Sequence, residues 1–198
     1  ISAIDPDTGR ALSDEEIRGE LIIFLLAGHD TTSTLLAYSL WALGHHLDCQ
    51  EKVRAEAAAI GDRQLTPEDI PQLGYSIQVL HEALRLCPPG SLVMRTATQD
   101  IDVDGYRVVK GTLIQVGICA IHRGPTLWKR ALSFEPDRFT PRRLTSIDRW
   151  QYLPFGGGPR SCIGDHFAKH EAALSLATIN RQCEIRTSDE QFPLRSPF

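Results

Sequence analysis

From Asp14 to about Leu47 the chain runs without a proline, and only Gly19, Gly28 and Gly44 oppose a helix. At about 1.5 Å per residue a helix of that length spans on the order of 50 Å, as wide as a whole domain. Ser13-x-x-Glu16 heads it as a capping box, in which the two side chains satisfy amides that the first turn leaves without partners. Between Leu21 and Trp41 it is nearly apolar, apart from a patch at His29 to Thr34. Such a helix has no polar face to turn to water, so the rest of the chain must fold around it, and the expectation is a buried axle through the middle of the protein.

The segments beyond this helix are shorter and more varied. A charged helix is expected from about Gln50 to Ile60, and Thr66-Pro67-Glu68-Asp69 opens a short one with Pro67 at the favoured first position. A helix over residues 73–86 is stopped by Pro88-Pro89-Gly90. The period then changes: residues 93–118 alternate apolar and polar around Asp104-Gly105, a two-residue hairpin signal, with a second turn at Lys110-Gly111. Residues 122–164 form a long irregular stretch carrying Pro125, Pro136 and Pro141, and loops of that length inside a compact domain are functional or held by specific contacts. A final helix covers about 163–178, with extended chain around Cys183 to Arg186. The first twelve residues read as turns. The expected class is mainly α with small β-sheets.

Charge and cysteine usage narrow the partners. A net charge of -4 gives no reason to propose nucleic acid. The longest uninterrupted apolar run, Leu21 to Gly28, falls short of the roughly 20 residues of a membrane span, and no membrane segment is expected. Five widely spaced cysteines without a C-x-x-C pair suggest neither a disulfide framework nor a zinc knuckle, and fit a reducing, cytoplasmic setting. The chain opens at Ile1-Ser2-Ala3 with no initiator Met and no signal pattern, so a preceding segment is expected, and it could carry an anchor.

The chemistry centres on "PFGGGPRSCIGDHFA", Pro154 to Ala168. Cys162 sits in a glycine-rich loop at the start of a helix, where backbone amides and the helix's positive end favour thiolate. Gly156, Gly157, Gly158 and Gly164 let a bulky flat partner approach the backbone. That suits a thiolate ligand better than a nucleophile, which needs an adjacent base. A phosphate-loop reading fails because G-x-x-x-x-G-K-[ST] is absent, and no G-x-S-x-G marks a serine hydrolase. A buried, inert cysteine is the remaining alternative.

Phe155-x-x-Gly158-x-Arg160-x-Cys162-x-Gly164 resembles the haem-binding signature of the cytochrome P450 family. The resemblance implies haem b with the Cys162 thiolate as axial iron ligand. It also implies Phe155 packed near the sulfur, Arg160 paired with a haem propionate, and Gly164 letting the last helix lie against the ring. "AGHDTT", Ala27 to Thr32, is similar to the family's oxygen-side helix. There Ala27 and Gly28 would widen the groove over the iron, Asp30 and Thr31 would deliver protons, and His29 would face away. Glu82-x-x-Arg85 with Arg138 resembles the family's structural Glu-Arg-Arg network, expected to pin the irregular loop. Arg95 matches a further propionate-binding position. His166 and His170, four apart, lack a third metal ligand and read as surface or packing residues, and His45, His46, His81 and His122 are similarly weak signals.

With three motifs in the family's order, the resemblance implies that residues 1–198 are a partial P450 domain. Its parts are an oxygen-side helix 14–47, an E-x-x-R helix 73–86, a β region 93–118, an irregular and haem-binding loop 122–164, and a final helix 163–178. The implied function is a monooxygenase that inserts one oxygen atom of O2 into a small hydrophobic organic substrate. The alternative is a truncated, non-catalytic haem-binding remnant; a haem-thiolate isomerase or peroxygenase would lack the relay residues. Electrons would come from a separate ferredoxin or flavodoxin-type donor, or a reductase, docking on a basic face of Arg142, Arg143, Arg149, Arg160 and Lys169.

Overall fold

A computed structural model of the chain describes residues 4, 9–188 and 190–192. The turns expected at 1–3 and 5–8 lie outside the described residues. The elements run α1 (Asp14–His45), α2 (Leu47–Ala59), a 3₁₀ turn (Pro67–Gln72), α3 (Gly74–Leu86), β1 (Leu92–Thr96), β2 (Ile101–Val103), β3 (Tyr106–Val108), β4 (Leu113–Gly117), α4 (Ile118–His122), α5 (Pro141–Leu144) and α6 (Asp165–Gln182). Among the described residues two small antiparallel sheets form, β1 with β4 and, on the Asp104-Gly105 turn, β2 with β3. The helix-rich class with small sheets is as the sequence indicates.

Ser13 and Glu16 cap α1 reciprocally, the Ser13 amide donating to Glu16 Oε2 at 2.8 Å and the Glu16 amide to Ser13 Oγ at 3.3 Å. The core lies where the second half of α1 meets α2, α3 and α6, with Leu35, Leu43, Val53, Val79, Leu80 and Leu176 all at 2% exposure or less. Helix α6 runs on to Gln182, past the expected end at 178, because Arg181 is held by the Gly61 and Arg63 carbonyls at 2.7 and 2.9 Å. Residues 183–188 after it form no strand.

The buried axle is a correction. Only Thr32, Leu35, Tyr38, Ser39, Ala42 and Leu43 of α1 are buried, whereas Leu21 to Leu26 stand 50 to 71% exposed. Packing partners reach only the C-terminal half, and apolar composition records what a helix can bury, not what covers it. By length and mean hydropathy α1 also meets the criteria for a membrane span, which counting only the uninterrupted run from Leu21 to Gly28 misses. The Leu47 end of the expected first helix is a correction too: His46 leaves the helical conformation, at φ -118° and ψ 73°, which ends α1, and Leu47 starts α2.

Two unforeseen polar ties brace the helices. The Glu56 carboxylate accepts the Tyr75 and Ser76 amides at 2.6 and 2.9 Å, capping α3 from α2 where a leucine at the cap position offers no side-chain acceptor. Buried Gln50 donates to the Leu43 and Ile185 carbonyls and accepts the Ile185 amide, fastening the chain that leaves α6.

Candidate functional site

The loop before α6 is closed by its own backbone. The Cys162 amide donates to the Phe155 carbonyl at 2.9 Å, Gly156 to Leu153 at 3.0 Å and Ser161 to Gly158 at 3.1 Å. This path needs Gly156 and Gly158 at φ of +73° and +76°, where a side chain is strained. At Gly157 a Cβ would come within 3.1 Å of the Trp150 ring. The turn delivers Cys162, exposed, two residues before Gly164, the N-cap of α6; a Cβ there would lie 3.9 Å from Cys162 Sγ. Phe155 is half-buried against the core, with Lys169 Nζ 5.5 Å from its ring centre, and Arg160 is exposed.

This arrangement fits a flat, iron-bearing ligand held by one sulfur. The thiol is exposed, the glycines beside it raise no wall, and among the described residues no basic side chain is hydrogen-bonded to it. Among the described residues no three His, Cys, Asp or Glu side chains gather as an all-protein metal cage. His166 and His170 are exposed, with His166 3.6 Å from Asp165.

On α1 the patch at Ala27 to Thr32 lies at the boundary between the exposed and buried halves. Thr31 Oγ1 donates to the Ala27 carbonyl at 2.7 Å, and His29 Nδ1 lies 3.1 Å from Asp30 Oδ1. Phe24, Gly28 and Thr32 of α1 line a groove whose other wall is Phe167 and Glu171 of α6. His29 lines that groove as well. Among the described residues no hydrogen bond or ion pair joins Asp30 or Thr31 to the cysteine loop. Arg95, on β1, donates to the neighbouring Met94 carbonyl at 2.8 Å.

Glu82, Arg85 and Arg138 do meet, and the arrangement is complete at the guanidinium. Arg85 Nε and Nη2 reach Glu82 at 2.7 and 2.8 Å. Its remaining donors go to the carbonyls of His122 (2.8 Å), Ala131 (2.6 Å) and Ser133 (3.1 Å), so all five N–H groups of an arginine are used. Glu82 Oε1 also takes the Glu135 amide at 2.8 Å and Arg138 Nε at 3.3 Å. Both Glu82 and Arg85 are fully buried, and Trp128 lies under the Arg85 guanidinium at 5.1 Å.

Two histidines that the sequence marks only as weak signals lie beside this network, His122 fully buried and His81 partly buried, and their polar contacts were not foreseen. His81 Nδ1 lies 2.9 Å from the Tyr152 hydroxyl, and His122 stacks on the Tyr152 ring at 5.2 Å while its Nε2 accepts the Leu153 amide at 2.8 Å. Desolvation pushes both imidazoles down to about 4, with Lys169 adding to the effect at His81. A lowered histidine pKa means that the unfolded chain takes up more protons, so stability falls as pH drops from about 6.5 towards 4. Each ring contributes a slope of up to about 1.4 kcal/mol per pH unit in that window. Carboxylates held low, such as Glu16 at about 2, lose their contribution only below about 4.5, so they do not share it. Urea titrations between pH 7 and 5 should show the midpoint falling with acid, and His81→Asn, whose amide keeps a donor near Nδ1 for the Tyr152 hydroxyl, which itself donates to the residue 81 carbonyl, should roughly halve the slope. A flat profile would contradict the buried, neutral assignment.

The comparisons extend these local features to the whole chain. The family model described as Cytochrome P450 matches residues 3–197. Cyclooctatin synthase of Streptomyces melanosporofaciens is 39% identical over 186 residues, covering 93% of this chain and 40% of that protein. Cyclooctat-9-en-7-ol 5-monooxygenase of the same organism is 37% identical over 187 residues, with 94% and 41% covered. The crystal structure of the cytochrome P450DA heme domain superposes with a TM-score of 0.86 at 38% identity, covering 90% of this chain and 40% of that one. The chain thus spans about two fifths of the length of these relatives.

Proposed function

Since the chain belongs to the cytochrome P450 family, we propose that it is the haem-thiolate portion of a monooxygenase acting on a small hydrophobic organic substrate with O2. The observation that carries this reading is Cys162, presented by a backbone-closed glycine loop at the N-terminus of an 18-residue helix. Haem bound there supplies the oxygen chemistry, and the thiolate's electron donation favours O–O cleavage. The chain's residues hold and orient. Cys162 would hold the iron through its sulfur, with its amide engaged by the Phe155 carbonyl and Gly164 leaving room beside the sulfur. Exposed Arg160 and Arg95 would pair with the propionates, and Ala27 and Gly28 keep the α1 backbone approachable.

Proton supply falls to Asp30 and Thr31. Because the Thr31 hydroxyl spends its hydrogen on the Ala27 carbonyl at 2.7 Å, its lone pairs face outward as acceptors. Thr31 therefore holds a protonated partner in place, while the exposed Asp30 carboxyl exchanges protons with water. Thr31→Ala should leave the haem spectrum intact and lower product formed per reducing equivalent severalfold. An unchanged ratio removes Thr31 from the relay.

Electrons come from a separate ferredoxin or flavodoxin-type protein, or a reductase. The exposed Arg142, Arg143, Arg149 and Arg160, near the cysteine in sequence, would offer that partner basic groups, whereas Lys169 is paired with Asp165 at 3.3 Å. A cytoplasmic setting agrees with five free thiols among the described residues. One observation favours a second reading, haem binding without turnover: the oxygen-side half of α1 is open to water, with the Asp30 side chain 83% exposed. The test is a difference spectrum of the haem-reconstituted chain, reduced and exposed to carbon monoxide, followed by turnover with an added electron donor. A thiolate-type band with turnover supports the monooxygenase, a band without turnover the second reading, and no band rejects both.

A further inference from the structure

We propose that His122 is a positioning residue for the cysteine loop: its ring nitrogen holds the Leu153 amide while its own carbonyl is held by Arg85. The two bonds are both 2.8 Å, and the residue is fully buried. One residue therefore joins the Glu82–Arg85 pair of α3, through its backbone carbonyl, to the stretch of loop that turns into Cys162, through its side chain. From Leu153 the connection continues by backbone, its carbonyl taking the Gly156 amide, and two residues on the Phe155 carbonyl takes the Cys162 amide at 2.9 Å. For Nε2 to accept, the ring must be neutral with its hydrogen on Nδ1. Burial keeps it neutral, and the backbone of Leu84 and Arg85 lies beside the ring. The neighbouring Arg123 donates to the Leu86 carbonyl at the end of α3, so the His122-Arg123 pair grips this helix as well as the loop.

The purpose of this device rests on the haem-thiolate reading; its geometry does not. A rival role is space filling, since the ring stacks on Tyr152. Two substitutions separate the roles. His122→Phe keeps an aromatic ring and loses the acceptor, whereas His122→Gln loses the ring and places Oε1 near the position of Nε2. Two measurements apply: hydrogen exchange of the Leu153 amide in the haem-free chain, and the fraction of thiolate-type band in the reduced, carbon-monoxide-bound chain. With the acceptor gone, Leu153 should exchange about tenfold faster or more, in line with a buried amide losing its partner. In His122→Phe the thiolate fraction should fall as well, and His122→Gln should stay close to the parent in both. A His122→Phe chain that fails to fold beside a folded His122→Gln gives the same ordering and supports the proposal. The reverse ordering, equal behaviour of the two variants, or failure of both to fold overturns it. If the parent chain itself shows no thiolate-type band, the haem reading fails, and Leu153 exchange still decides the role of His122.

Discussion

Replacing Cys162 by serine should abolish the thiolate-type band of the reduced, carbon-monoxide-bound chain. It should do so without changing the melting temperature of the haem-free protein. Both halves follow from the loop. Cys162 Sγ is exposed and outside the hydrophobic core, so its loss leaves no cavity, and surface substitutions of that kind are usually within about 0.5 kcal/mol. The loop's shape is set by main-chain bonds, Cys162 to Phe155 and Ser161 to Gly158, which serine retains. What changes is the donor atom. A serine hydroxyl is not ionised near neutral pH and cannot offer the charged, soft sulfur that distinguishes thiolate haems. Cys183, the other exposed thiol, lies beyond the far end of α6, so Cys183→Ser should leave the band intact. A band that survives Cys162→Ser would sink the ligand assignment.

The parts of this protein that could be read in its sequence are those fixed by local chemistry. Ser13 and Glu16 announce a cap because both partners lie within one turn, and Asp104-Gly105 announces a hairpin because the turn needs positive φ at those residues, which take 52° and 81°. The cysteine loop is legible for the same reason. Long-range partners leave no comparable trace. The Glu82-x-x-Arg85 spacing indicates a pair on one helix face, but the carbonyls of Ala131 and Ser133 that complete it come from residues without periodicity. Glu56 capping α3, Gln50 gripping Ile185 and His122 accepting from Leu153 each join segments 19 or more residues apart through an ordinary polar side chain. One signal was available for His122: it sits in the apolar run Ile118-Cys119-Ala120-Ile121, where a titratable side chain is costly unless bonded. The exposed half of α1 marks the opposite limit, since an apolar face cannot state in sequence what covers it.

Arg85→Ala should destabilise the chain by about 3 to 5 kcal/mol, the cost of stripping one partner from a buried ion pair. The deletion strands more than a charge. Glu82 would stay buried, keeping only the Glu135 amide and Arg138 at 3.3 Å, and the carbonyls of His122, Ala131 and Ser133 would lose their donors together. Arg85→Lys would not repair this. A lysine brings three donors on a single atom, which cannot reach a carboxylate and three carbonyls spread around a planar fork. Glu82→Gln tests the other side, leaving Arg85 its three carbonyls while removing the charge that balances it, and it too should cost several kcal/mol. The readout is the urea midpoint of each variant, taken near neutral pH where His81 and His122 are uncharged. The physical claim is that this pair stabilises the loop more than the helix: α3 is already packed by Val79, Leu80 and Leu84, whereas the loop from His122 to Ser133 depends on Arg85 for three of its carbonyl partners. Hydrogen exchange in a partly folded Arg85→Lys chain should therefore rise first across residues 122–133 and at the cysteine loop, with the amides of α3 protected longest. Uniform loss of protection would mean that the pair holds the whole core and has no special hold on the loop that presents Cys162.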